Sequence, residues 1–244
     1  MRFWCALSLL GMTGCDVVAG LNDMIHDLPD GPPPNQSPAC GVVWAQGITS
    51  SSYASVGSVA MDEAGVYVNG TFASDVVLDD QPTTKDVDDE DAFVARLDPA
   101  SGSSVWLRAY GDGERQGVYD LALGPSNTLV MGGWTQGEVA GCNTVDHAFV
   151  ASIARDDPTN TTCFAFSATD PDPLNMYTPE SWVTKVATTP DGNLWVMGIF
   201  AEALDYDSGV LSDFGTFLTK HDATTLAPRG AWSHTGDPTV EEHG

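Results

Sequence analysis

The chain has 244 residues, with 34 acidic and 9 basic side chains and a formal net charge of −25. Such acidity argues against nucleic acid or anionic lipid headgroups as partners, since both are met with positive charge. The length suffices for one large β domain with a sizeable core.

In chain order, Met1-Arg2 is followed by an apolar run from Phe3 to Met12 and then Thr13-Gly14-Cys15. A positive start, a short apolar run and small residues before a cut site predict an export signal over 1–14. The run is too short to span a bilayer. Thr13-Gly14-Cys15 resembles a bacterial lipobox, although Met12 stands where Leu is commoner. The resemblance implies cleavage before Cys15 and acylation of its thiol, which anchors a protein without a spanning helix. Residues 15–39 read as the lipidated Cys and a tether. Asp30-Gly31-Pro32-Pro33-Pro34-Asn35-Gln36-Ser37-Pro38 favours extended chain and builds no core.

Residues 40–244 carry a repeat. One strand opens at Val59, Leu121 and Val186, turns on Gly, Pro, Asp or Asn, and is followed by Val66–Phe72, Thr128–Trp134 and Leu194–Phe200. From Val59 to Leu121 is 62 residues, and from Leu121 to Val186 is 65. A third strand recurs at Ala92–Asp98, Ala148–Ile153 and Thr216–Asp222, and a fourth at Val105–Tyr110, Cys163–Phe166 and Gly230–Ser233. The segments are short, rich in Val, Thr and aromatics, and often alternate. A fixed period of this size means one sheet-like unit stacked on its own copies. The expectation is an all-β chain of consecutive four-stranded antiparallel blades, in units of about 56–110, 118–167 and 183–235.

The run Ala92-Phe93-Val94-Ala95-Arg96-Leu97-Asp98, then Gly102, Trp106 and Gly111, resembles the repeats of bacterial surface and lipoprotein β-propellers. Asp98-x-x-Ser101-Gly102-x-x-x-Trp106 also resembles the tryptophan-docking motif of quinoprotein-type propellers, which implies a Trp packed between blades. Trp44, Trp106 and Trp232 are expected in that inter-blade role, with a carbohydrate platform as the alternative. The second unit has Thr161-Thr162-Cys163-Phe164 in this region, and the third has two extra residues between Asp222 and Trp232. Gly41–Gly47 reads as a lone fourth strand, so three blades plus an orphan strand are expected, a partial propeller. The chain is then expected to be a piece of a larger ring, to self-associate through its open blade faces, or to persist as an open stack.

Of five cysteines, Cys142 and Cys163 fall in one unit and are the expected disulfide, with two free thiols as the alternative. Cys40 is left over. No metal site is predicted. Asp205 and Asp207, in Asp205-Tyr206-Asp207-Ser208-Gly209, come nearest to a Ca²⁺ loop but lack the closing Glu. The denser run Asp86–Asp91 lacks the Gly and the alternation, and reads as a solvated acidic loop. Gly111–Gly117 reads as a connection between blades. The five histidines form no zinc pair, no nucleophile elbow occurs, and no catalytic residue is assigned.

The expected protein is therefore a non-enzymatic envelope lipoprotein, in the outer membrane facing the periplasm or at the cell surface, binding a protein or glycan. The alternatives are an assembly scaffold resembling the propeller lipoprotein of outer-membrane barrel assembly, or a fragment of a propeller enzyme.

Overall fold

Short runs of Val, Phe and Thr between Gly, Asp and Asn form strands throughout, and no helix occurs among the described residues. The computed structural model describes residues 44–84, 90–143, 147–168, 181–201, 204–205, 210–211 and 215–235. Strand β1 (Ile48–Thr49) precedes a first unit of β2 (Tyr53–Asp62), β3 (Gly65–Ala73), β4 (Asp75–Leu78), β5 (Gln81–Thr84), β6 (Glu90–Leu97) and β7 (Ser104–Tyr110). The second unit is β8 (Gln116–Gly124), β9 (Thr128–Thr135), β10 (Glu138–Val139), β11 (Cys142–Asn143), β12 (His147–Ala154) and β13 (Thr161–Ala165). After β14 (Ser167–Ala168) comes the third: β15 (Ser181–Thr188), β16 (Asn193–Phe200), β17 (Leu204–Asp205), β18 (Val210–Leu211), β19 (Gly215–Asp222) and β20 (Pro228–Thr235).

Among the described residues, three antiparallel sheets have four strands each: β2-β3-β6-β7, β8-β9-β12-β13 and β15-β16-β19-β20. They are three consecutive blades of a partial, propeller-like all-β fold. Between its second and third long strands each blade inserts a hairpin, β4–β5, β10–β11 or β17–β18.

The first strand of every blade carries a bulge, between Val56 and Ser58, Val118 and Asp120, and Val183 and Lys185. A bulge bends a strand and breaks its alternation. That is why these strands begin earlier than the apolar pattern suggests, at Tyr53, Gln116 and Ser181. The bend drives a backbone carbonyl toward the second strand. A Cβ on Gly70, Gly133 or Gly198 would strike the oxygen of Ser55, Gly117 or Trp182. Each of these glycines also pairs with a buried Phe: Gly70 with Phe93, Gly133 with Phe149, Gly198 with Phe217. The Gly near the end of the second strand is thus a packing requirement of the blade.

The blades stack in chain order. Strand β8 lies across β2, β3 and β6, and β15 lies across β8, β9 and β12. The first junction buries Tyr67, Val94, Val118, Leu121 and Met131, and the second buries Val130, Val150, Val183 and Val186. A third cluster covers the opposite face of blade 1, where Val66, Val68, Phe93 and Leu97 meet Trp44, Ile48, Val76 and Leu78.

The expected lone strand differs from the observed chain. Its described part, Trp44–Gly47, is not strand, and pairing begins at Ile48, opposite Leu78. No described strand lies beside Trp44–Gly47 to supply a ladder, so Trp44 is held by its side chain.

Candidate interaction surfaces

Trp106 and Trp232 can be placed by cross-strand register and Trp44 by its side-chain contacts. The Trp106 indole of β7 donates to the Arg155 carbonyl of blade 2 at 2.9 Å. The Trp44 indole donates to the Pro99 carbonyl of blade 1, also at 2.9 Å. Pro99 and Arg155 are equivalent: each lies two residues past the residue that ends the third-strand core, Leu97 in blade 1 and Ile153 in blade 2. Trp44 therefore docks on blade 1 as Trp106 docks on blade 2. Gly102, at φ +74°, leaves the space that the Trp44 ring fills.

Trp232 differs from both. Trp106 pairs with Arg96, but Trp232 pairs with Leu218, and Gly230 takes the register position of Trp106 opposite Lys220. The two extra residues of the third unit shift its indole along the strand. It lies on the outer face of blade 3, stacked on Trp195 at 5.6 Å, with the Lys220 ammonium 5.5 Å from the Trp195 ring. Met197 and Leu218 are exposed beside it.

The first junction is polar around its rings. Arg96 and Arg155 both lie near the Tyr67 ring, 5.9 and 5.7 Å from its centre. Arg96 pairs with Asp156 at 3.0 Å, and Arg155 pairs with Asp62. Burial alone raises the Asp62 pKa. The Arg155 guanidinium and the amides of Ala64 and Gly65 outweigh it and hold the carboxyl below its ordinary 3.8. Buried Asn69 donates to the Val118 carbonyl at 3.0 Å and accepts from the Ser58 amide and hydroxyl at 2.8 and 2.7 Å. The Tyr110 hydroxyl donates to the Pro158 carbonyl at 2.8 Å, and burial pushes its pKa up.

The second junction is more aromatic. Phe164 lies edge-on to His221 at 4.9 Å, and Phe166 packs on Phe217 at 5.1 Å. Buried His221 bonds the Leu226 carbonyl and the Thr219 hydroxyl, each at 2.9 Å. Burial depresses its pKa below the ordinary 6.5 despite the Leu226 bond, which acts the other way. Asp120 accepts from the Val186 amide at 2.9 Å, and Thr188 donates to the Leu123 carbonyl at 2.6 Å.

At the end where second strands pass to third strands, the exit of one blade or segment grips the next hairpin. Strand β1 pairs with β4, and β14 pairs with β17. Between them, the Asp112 carboxylate accepts from the Glu138 amide at the root of β10–β11, at 2.7 Å. A disulfide joins Cys142 of this hairpin to Cys163 of β13, with Cα atoms 5.3 Å apart.

Asp205 lies in β17 opposite Val210, while Asp207, most of the acidic run from Asp86, Cys40 and Cys15 fall outside the described residues. Among the described residues no three His, Cys, Asp or Glu side chains gather as for a metal ion. Sequence reasoning missed Arg155 and Asp62, which lie 93 residues apart and carry no local motif. It also missed the outer-face cluster of Trp195, Met197 and Leu218. Alternation across β16 and β19 was its available signal. No family model matches the chain, and no curated protein matches it.

Proposed function

We propose that this is a non-enzymatic lipoprotein of the bacterial cell envelope, anchored through Cys15 and using its stacked blades to display a binding surface for a protein or glycan. The observation that carries the binding role is the row of hairpins β4–β5, β10–β11 and β17–β18, inserted at the same place in three rigid sheets and each gripped by the preceding exit segment. Loops held by a rigid scaffold are where binding concentrates. The β4–β5 tip, Asp79-Asp80-Gln81-Pro82, is exposed. The anchoring role rests on the lipobox-like Thr13-Gly14-Cys15 and the Pro-rich stretch after it.

Two measurements test the reading. Labelled palmitate should enter the protein, and Cys15→Ser should abolish labelling and move it from the membrane to the soluble fraction. An unlabelled, soluble wild type would sink the anchor. Crosslinking on intact envelopes should capture a protein or glycan that is lost when the β4–β5 tip is replaced by Gly and Ser. Capture of barrel-assembly components would shift the role to an assembly scaffold, and capture unaffected by the tip would remove the hairpins from it.

A further inference from the structure

The two outer faces of the stack carry the two halves of the contact that joins its blades. Register makes Val59, Leu121 and Val186 equivalent, since each pairs with the matching second-strand residue after its bulge: Val68, Met131 and Val196. Leu121 is 5% and Val186 6% exposed, because each presses on the preceding blade, while Val59 is 46% exposed and Met61 beside it 49%.

The receiving half is at the other end. Asn69 and Val94, opposite each other on blade 1, are both 0% exposed beneath blade 2, and Val150 on blade 2 is equally covered by blade 3. Their counterparts on blade 3, Met197 and Leu218, are opposite each other in the same way and are 45% and 39% exposed. Trp232 beside them is 53% exposed. A monomer seldom leaves so continuous an apolar face open.

We propose that a second copy of this chain covers it: blade 1 of each copy docks on blade 3 of the other, repeating the junction that already joins blades 1 to 2 and 2 to 3. This contact is heterologous, so it either closes or polymerises. The three described blades of each of two copies bring six together, within the usual range of four to eight for propellers. Gly230 leaves blade 3 without an indole at the Trp106 register, and the Pro99 carbonyl of blade 1 is already met by Trp44. The new junction thus receives its docking indole from the chain that owns blade 1, provided that residues 44–47 run alongside β20. Each copy carries −25 charges, so the contact tightens as salt rises. The inference is independent of whether Cys15 is acylated.

The test is the solution mass of the full chain carrying Cys15→Ser, by light scattering at elevated salt, for three proteins: this parent, Val59→Asp and Met197→Asp. A dimeric parent with both variants monomeric is expected. An equimolar mixture of the two variants should then regain dimer mass, because the intact blade 1 of one fits the intact blade 3 of the other. That rescue also shows both variants folded. A monomeric parent overturns the proposal. So does a dimeric Val59→Asp protein, which means the blade 3 faces pair with each other, and so does a mass above the dimer, which means the ring does not close.

Discussion

The junctions between blades 1 and 2 and between blades 2 and 3 have the same backbone geometry and different chemistry. The first sets Arg96 and Arg155 against the Tyr67 ring, fixes the guanidinium groups with Asp156 and Asp62, and seats the Trp106 indole on a carbonyl. The second packs Phe164, Phe166, Phe217 and neutral His221 together. What the repeat preserves is therefore the bulge, the glycine and the strand register. The side chains between blades vary as long as they fill the space and satisfy their polar atoms.

The difference can be broken from the aromatic side first. Phe166 is fully buried, and Phe166→Ala should cost about 3–5 kcal/mol through the lost transfer energy and the cavity left behind, read as a lowered urea midpoint. Reducing Cys142–Cys163, which closes a span of 21 residues, should cost about 3 kcal/mol on the loop-entropy account. Because this bridge lies within blade 2, it should lower both junctions together, and Cys163→Ser should behave like the reduced protein. On the polar side, Asn69→Ala leaves the Val118 carbonyl and the Ser58 amide without their partner, which should cost about 2 kcal/mol in the same denaturation experiment.

Acid gives the smallest effect and separates the junctions by pH. The depressed pKa of His221 means that the unfolded chain takes up a proton first. Its contribution is whole above 6.5 and is lost as pH falls through the folded value. The slope is at most about 1.4 kcal/mol per pH unit for one proton. Asp62 is also depressed, so its contribution is whole above 3.8 and disappears only in stronger acid. Denaturation across pH 4 to 8 should show the His221 phase in the parent and lose it in His221→Gln. A phase that persists in that variant assigns the titration elsewhere.

Blade number and strand order were legible in the sequence because short strands, turns and a Gly–aromatic strand end recur at intervals of 62 and 65 residues. The inter-blade role of Trp106 was expected from the resemblance of Asp98-x-x-Ser101-Gly102-x-x-x-Trp106 to the tryptophan-docking motif. Trp232 broke the analogy because two added residues move a side chain two pairing positions along an antiparallel ladder, on the same face, a shift invisible without register. The extent of Tyr53–Asp62 was hidden by its bulge, which interrupts alternation. The partnership of Arg155 with Asp62 was hidden because a contact 93 residues apart leaves no local trace.

The indole of Trp44 has a mechanical consequence. Pulling on the polypeptide ahead of residue 44 delivers tension to blade 1 through one N–H bond to Pro99 and a ring wedged over Gly102, before the short ladder of Ile48 and Thr49 with Leu78 and Val77 is stretched. The fold would give way there first and shed a few residues of slack, while the long ladders of the blade stayed shut.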